Sequence, residues 1–232
     1  MGFVRELLDL FFPPMCLSCK APLPRDRGVG LCEQCIALVE NTQHTCEICG
    51  RPWVEGKICE ECRKRRPSFE RAVAPFVYGG PIKDLILNLK YAKGTYTVRF
   101  LAEAIAWEVH KRGIEGVDLV TAVPQQLSRF ISRGYNQAAL LGREVARILG
   151  LPFEGGILGV KGRGTQKGKG VEERWEERAE AFFIRKGWAF EGEAVLLVDD
   201  VVTTGATADA CAKVLKGAGV SRVYVASAAR AG

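Results

Sequence analysis

The 232-residue chain lacks a long apolar run, has only two histidines, and carries a single cysteine, Cys211, after residue 62. Each scarcity excludes something. Residues 2–12 place Val4, Leu7, Leu8 and Phe11 at helical spacing, but Pro13 and Pro14 end the run, far short of the ~20 residues a membrane span needs. No basic leader with a small-residue cleavage site is present, so no membrane span and a cytoplasmic location are expected. No Cys-x-x-Cys opens a helix after a strand, which removes the usual redox setting of that motif. His44, two residues before Cys46, is not needed as a metal ligand and is expected at the surface.

Eight of the nine cysteines lie in the first 62 residues as four Cys-x-x-Cys pairs: Cys16/Cys19, Cys32/Cys35, Cys46/Cys49 and Cys59/Cys62. A Cys-x-x-Cys turn aims two thiolates at one tetrahedral ion, and a second pair completes a four-thiolate shell, so two structural zinc ions are expected. Joining Cys16/19 with Cys32/35 and Cys46/49 with Cys59/62 closes the shorter loops and is entropically preferred, though an interleaved arrangement satisfies the same count. So small a segment cannot fold on its own core, and metal binding would supply the folding free energy. Four-thiolate zinc has no open position, which argues for a structural role rather than chemistry.

Charge is uneven. Residues 1–62 carry 6 basic and 9 acidic side chains, residues 63–170 carry 19 and 8, and residues 171–232 carry 8 and 10. The middle of the chain is therefore at +11. Its basic runs are Arg63, Lys64, Arg65 and Arg66, then Lys161, Arg163, Lys167 and Lys169. Such runs are ordinarily solvated surface, but they also suit pyrophosphate or a nucleic acid backbone. Arg63–Ser68 is the candidate linker, dividing the chain into 1–66 and 67–232.

Beyond it, strands alternate with helices. Strands are expected over Ala72–Tyr78, Asp118–Val123, Phe182–Arg185, Val195–Val198 and Arg222–Ala226, with a short apolar stretch at Ile157–Val160. Helical faces are marked by Ile82, Leu85, Ile86 and Leu89, by Val98, Leu101, Ile105 and Val109, and by Ala138, Leu141, Val145 and Ile148. The pattern is α/β: a doubly wound parallel sheet with helices on both faces, whose ligands bind beyond the strand C-termini.

The most specific segment is Val195–Thr207. A buried strand is expected to stop at Asp199 and Asp200, whose carboxylates can accept hydrogen bonds from vicinal sugar hydroxyls or support a magnesium-bound sugar. Thr203, Thr204, Gly205, Ala206 and Thr207 then turn into a helix with Cys211, Val214, Leu215 and Ala218 on its inner face. Free N–H groups at a helix start, three hydroxyls and a glycine make an anion cradle. A second loop, Pro124–Gln137, leaves the same sheet edge. In it Arg129 and Arg133 can fork onto pyrophosphate oxygens, Gly134 allows a tight turn and Asn136 can cap the next helix.

Val195–Thr207 resembles the phosphoribosyl pyrophosphate signature of type I phosphoribosyltransferases. The resemblance implies that Asp199 and Asp200 bind the ribose hydroxyls, that Thr203–Thr207 bind the 5′-phosphate, and that magnesium accompanies the pyrophosphate. Ala206 stands where many members have a second glycine and is tolerable if its φ is negative. The four cysteine pairs, Leu89-Lys90-Tyr91 with Gly94, and Arg133-Gly134-Tyr135-Asn136-Gln137 resemble the ComF family of competence proteins, which join a double zinc ribbon to a phosphoribosyltransferase-like domain. That resemblance implies a role in natural competence and DNA uptake, inside the cell, on incoming single strands. Single-stranded DNA and DNA-uptake or recombination proteins are then the implied partners. Aromatics among the basic residues, Phe130, Tyr135, Tyr91 and Tyr96, could offer stacking faces. In the flexible loop Gln166 and Arg174 fit the family spacing, while Lys169 and Glu177 depart from it.

Three readings follow. The first is a competence protein that binds magnesium phosphoribosyl pyrophosphate and single-stranded DNA. The second is a full transferase, in which Asp199, Asp200 and Arg133 serve transfer of the phosphoribosyl group to a base or amine. No hood for a purine or pyrimidine is evident to name that acceptor. The third is a zinc-ribbon adaptor using the sheet only as a scaffold, which the intact acidic pair disfavours.

Overall fold

In the computed structural model, residues 14–23, 30–91, 95–126, 130–131, 134–161 and 181–231 are described. Residues 2–12 and most of the flexible-loop segment lie outside them. The described elements, in chain order, are α1 (Glu33–Ala37), α2 (Glu60–Lys64), β1 (Arg71–Val73), β2 (Phe76–Val77), α3 (Gly80–Tyr91) and α4 (Thr95–Lys111). They continue with β3 (Leu119–Ala122), α5 (Gln137–Leu149), β4 (Leu158–Val160), β5 (Phe182–Ile184), β6 (Ala194–Val202), α6 (Ala206–Gly217) and β7 (Arg222–Arg230).

Five strands form one sheet in the order β1-β7-β6-β3, with β2 also pairing β7, and every ladder is parallel. Strand alternation sorts the core into two layers. Leu196, Val198, Ala226 and Ala228 face the inner stripes of α3, α4 and α5, while Val195, Leu197, Val223 and Val225 face Ala208, Cys211, Ala212 and Leu215 of α6. Helices thus cover both faces, as continuous apolar strands such as Val195–Val198 require.

Several boundaries differ from expectation. The strand expected over Ala72–Tyr78 is divided in two at Ala74 and Pro75. Pro75 has no N–H to donate, and its carbonyl and that of Ala74 instead accept from the backbone and hydroxyl of buried Thr42. The strands at Leu158–Val160 and Phe182–Ile184 do not join the parallel sheet; they pair antiparallel as a separate two-stranded ribbon. Ile148, expected inward on α5, is 36% exposed, because the inner stripe turns through Leu141, Val145 and Ala146 instead.

The cysteine-rich segment is packed onto the sheet. Cys16, Leu23, Leu31 and Cys35 join the layer that holds α3, and Cys46, Ile48, Cys49, Cys59 and Cys62 join the α6 layer. The Ser18 hydroxyl donates to Asp84 of α3 at 2.6 Å. Glu40 accepts from Val77 N–H, Ile48 accepts from Ala72 N–H, and Asn41 bridges Phe76. The chain from Glu40 to Ile48 therefore acts as an extra edge clipped over β1 and β2.

Candidate functional site

The two cysteine sets are repeats of one turn. Met15 bridges Pro22 and Thr45 bridges Pro52 around each first knuckle, and Lys20 N–H and Gly50 N–H return to the carbonyls of Cys16 and Cys46. The residue after each first pair is left-handed: Lys20 at φ 63° and Gly50 at φ 67°. Each second pair opens a short helix, with Cys32 and Cys59 as N-caps.

The sulfurs gather sequentially, Cys16, Cys19, Cys32 and Cys35 in one cluster and Cys46, Cys49, Cys59 and Cys62 in the other, all within 4.8 Å of one another. The interleaved arrangement is thereby excluded. Zinc–thiolate bonds of about 2.3 Å at tetrahedral angles put neighbouring sulfurs roughly 3.8 Å apart. Cys19 and Cys32 sulfurs are 3.6 Å apart and those of Cys49 and Cys59 3.7 Å. Backbone N–H groups of Cys32 and Cys59 point at the Cys16 and Cys46 sulfurs, an arrangement that stabilises thiolate. Both clusters fit structural zinc. They differ in cover, since every sulfur residue of the second is buried, whereas Cys19 is exposed and Cys32 half-buried in the first. His44 is exposed and belongs to neither cluster.

At the C-terminal edge of the sheet, β6 carries the acidic pair further than expected. Asp199 and Asp200 do not end the strand, because β7 runs beside it and the ladder continues through Val201↔Ala229 and Val202↔Arg230. Both aspartates are half-buried. The Asp199 carboxylate accepts from the Asp200 N–H and the Asp200 carboxylate from the Val201 N–H, each at 2.8 Å. These oxygen donors fit a magnesium-bound sugar better than a soft metal.

The turn that follows is set by Gly205, at φ 83°. An added Cβ there would meet only Phe69, at 3.9 Å, so the left-handed backbone rather than crowding demands glycine. Ala206 opens α6 and is not among the positive-φ residues, which meets the condition for an alanine at that place. Thr203 and Thr204 are exposed and Thr207 half-buried. The Thr204 hydroxyl accepts from the Ala206 N–H at 3.3 Å, a stand-in for an anion on the same donor. A small hollow of about 30 Å³ is lined by Asp199, Thr203, Gly205, Ala206 and Thr207. Beneath it, burial pushes the Cys211 thiol well above its ordinary pKa, and the Asp199 charge adds to the shift, so Cys211 is a core thiol.

The second loop starts beside the acidic pair, since Val123 N–H donates to Val198 at 2.9 Å. Asn136 caps α5 by accepting from Ala138 N–H and ties back to the Val123 carbonyl. Gly134 is left-handed at φ 76°, as its turn requires. The Tyr135 hydroxyl donates to the Leu89 carbonyl at 2.7 Å, joining this loop to the end of α3. Phe130 is 46% exposed. Arg129, Arg133 and Gln166, together with Arg163, Lys167, Lys169 and Arg174, lie outside the described residues, as do the side chains of Tyr91 and Tyr96. Lys161, Arg63, Lys64, Arg65 and Arg66 are exposed.

Two side chains that sequence reasoning missed tie the N-terminal segment to β6, β7 and α6. Arg230, 1% exposed, donates from Nε to the Cys49 carbonyl at 3.0 Å and from Nη1 to the carbonyls of Val202 at 2.9 Å and Ala231 at 3.1 Å. Burial lowers its pKa from the ordinary guanidinium value. Asp209 in the first turn of α6 is 4% exposed, accepts from Ser68 N–H at 2.6 Å and pairs with Lys213 at 3.1 Å. An arginine ending a run of small strand residues, Val225-Ala226-Ser227-Ala228-Ala229-Arg230, is the one signal that could have flagged the first.

A double zinc ribbon joined to a phosphoribosyltransferase-type parallel sheet is the class this architecture defines. Comparison with known families agrees: residues 7–63 match the double zinc ribbon domain and residues 136–232 the phosphoribosyl transferase domain. Competence protein F of Haemophilus influenzae is 31% identical over 228 residues, covering 95% of this chain and 99% of that protein. DNA utilization protein YhgH of Salmonella typhimurium is 29% identical, covering 93% and 96%. Competence protein ComFC of Bacillus subtilis is 25% identical, covering 87% and 77%. The chain belongs to the competence protein F (ComF) family. Among the described residues, no helix is long and apolar enough to cross a membrane.

Proposed function

We propose that this protein acts in DNA uptake or utilization inside the cell, binding phosphoribosyl pyrophosphate with magnesium at Asp199–Thr207 and single-stranded DNA on its basic surface. The observation that carries the reading is the joined geometry of β6 and α6. A half-buried carboxylate pair at the sheet edge leads through left-handed Gly205 into a helix start.

In this reading the N–H groups at the start of α6 and the hydroxyls of Thr203, Thr204 and Thr207 hold the 5′-phosphate. Asp199 and Asp200 exchange their present backbone partners for the ribose hydroxyls. Magnesium, when bound, neutralises pyrophosphate charge. Arg129, Arg133 and Gln166 are proposed to meet the pyrophosphate from the second loop and the flexible loop. Both zinc sites hold the ribbons and bring exposed Arg63–Arg66 to the α6 side of the sheet, where a phosphodiester backbone could lie. Lys161, Arg163, Lys167 and Lys169 are proposed as further contacts to the DNA backbone.

The test separates binding from turnover. Pyrophosphate release from magnesium phosphoribosyl pyrophosphate is measured with and without a pool of nucleobases, alongside fluorescence anisotropy on single-stranded DNA at several salt concentrations. No release with any base, together with salt-dependent DNA binding weakened by Arg63→Gln and Arg66→Gln, is the expected result. Base-dependent release lost in Asp199→Asn/Asp200→Asn would instead establish a phosphoribosyltransferase. Absence of single-stranded DNA binding, or binding indifferent to Arg63→Gln and Arg66→Gln, would overturn the proposal.

A further inference from the structure

The ribbon of β4 and β5 has two unlike faces. Strand alternation sends Leu158, Phe182 and Ile184 toward the core on the α6 side of the sheet. Gly159 and its direct partner Phe183 face the other way. An added Cβ at Gly159 would overlap the Phe183 ring, so that ring rests on the backbone of its glycine partner and is still 40% exposed. Core packing gives no reason for an aromatic there. Arg185, two residues on, shares this face: its N–H continues the ladder to the Ile157 carbonyl at 2.9 Å, and the residue is exposed.

This face is one wall of a groove of about 880 Å³ beside the β3 edge of the sheet, where Phe153 bridges Val120. The second loop and α5 form the other walls. Phe130, 46% exposed, lines the groove from the loop. Of the three exposed phenylalanine and tryptophan rings among the described residues, Trp107, Phe130 and Phe183, two therefore border one space. Exposed Arg143 of α5 also lines it, its guanidinium held over the Phe153 ring at 5.4 Å. That ring is itself fixed against Gly142 and Gly155, where an added Cβ would stand 2.8 and 3.0 Å from it. Elsewhere on α4 and α5, Arg99 and Arg147 pair with carboxylates. Arg143 and Arg185 pair with none among the described residues, and Glu154 is the one carboxylate in the groove lining.

Accessible rings and uncompensated guanidiniums in one groove suit a partner that carries flat bases and negative charge in alternation. A second copy of this chain would bring the same cations into opposition. A duplex keeps its bases in the stack, whereas a single strand offers them between successive phosphates, and aromatic faces with arginines are what single-strand grooves use. We propose that this groove is the base-stacking part of an interface with single-stranded DNA, with bases on Phe183 and Phe130 and phosphates on Arg143 and Arg185. The assignment rests on the reading that the protein binds single-stranded DNA, and it puts the bases on the ribbon face turned away from the α6-side core.

The experiment measures fluorescence anisotropy of the zinc-loaded full chain with two probes of equal length and charge, an oligothymidylate and the corresponding abasic chain. Wild type should prefer the oligothymidylate. Phe183→Leu, at an exposed position, should weaken oligothymidylate binding by roughly tenfold and leave the abasic chain unaffected. Arg143→Gln and Arg185→Gln should weaken both probes and lower the salt slope by roughly 0.7 each. Arg63→Gln/Arg66→Gln should weaken both probes while the preference for bases persists. Zinc content and Tm are measured for every variant to show that the fold persists. Binding of neither probe would overturn this assignment together with the reading it rests on. Equal binding of the two probes, a preference indifferent to Phe183→Leu, or an equal loss of both probes in that variant would overturn this assignment alone. Self-association abolished by Phe183→Leu would give the groove to a second copy of the chain and overturn it as well.

Discussion

Replacing Arg230 with methionine removes the clamp between the second zinc ribbon and the sheet while keeping most of the side-chain volume. The native guanidinium reaches Cys49, Val202 and Ala231 at 2.9 to 3.1 Å, from a position 1% exposed. Hydrogen bonds from a charged donor contribute about 1.5–3 kcal/mol each; the loss falls on the Cys49 and Ala231 carbonyls, because that of Val202 keeps the Ala231 N–H at 3.0 Å. Against this, methionine need not be desolvated as a cation, which returns part of the sum. A net destabilisation of about 3 kcal/mol follows, which for a chain of this size lowers Tm by roughly 6–12 °C. Scanning calorimetry on the zinc-loaded protein measures it, with a metallochromic dye reporting release of zinc. The second site should lose its metal sooner in the variant, because Cys49 is held through its own carbonyl. A Tm within about 2 °C of wild type, with zinc release unchanged, would show that the clamp does not couple ribbon and sheet.

Three further outcomes follow from local geometry. Gly50→Ala forces a Cβ onto a φ of 67° and to 2.5 Å from the Ala72 carbonyl, so it should cost more than about 2 kcal/mol, whereas Lys20→Gly at the matching left-handed position should stabilise by up to about 1 kcal/mol; urea unfolding compares them. The first zinc cluster, with Cys19 exposed, should lose its ion to a chelator before the fully buried second cluster, giving two phases of equal amplitude in a dye assay. Glu144 is held below the usual carboxylate pKa, first by its hydrogen bonds from Arg147, so that pair stabilises above the unfolded pKa and the contribution is lost as pH falls through the folded one. Glu144→Gln should therefore lower stability by about 0.3–0.5 kcal/mol near neutrality and by nothing in strong acid, read from urea midpoints at the two pH values.

The site was legible wherever one residue type has one local use. Paired cysteines at two-residue spacing gave the metal clusters, and loop length favoured the sequential pairing that the sulfurs adopt. Gly205, Gly134 and Asn136 occupy the backbone roles their identities suggest. What was hidden depends on contacts distant in sequence. Asp199 and Asp200 look like a strand end, yet pairing with β7 carries β6 on to Val202. Phe182–Ile184 reads as a sheet strand, but its partner is β4 in a separate ribbon. Ile148 has the spacing of an inner residue on a helix whose buried stripe is already complete. Arg230 and Asp209 act across 181 and 141 residues of chain, on Cys49 and Ser68, and no local pattern announces them. The packing of each ribbon on its own face of the sheet was likewise not visible in a charge count.

The most direct test of the sugar phosphate site is calorimetric titration of magnesium phosphoribosyl pyrophosphate into the wild type and the Asp199→Asn/Asp200→Asn variant, both with full zinc. The account predicts one molecule bound per wild-type chain and no measurable heat in the variant, whose amides cannot accept from the ribose hydroxyls as a carboxylate pair does. Equal binding by the two proteins would contradict it.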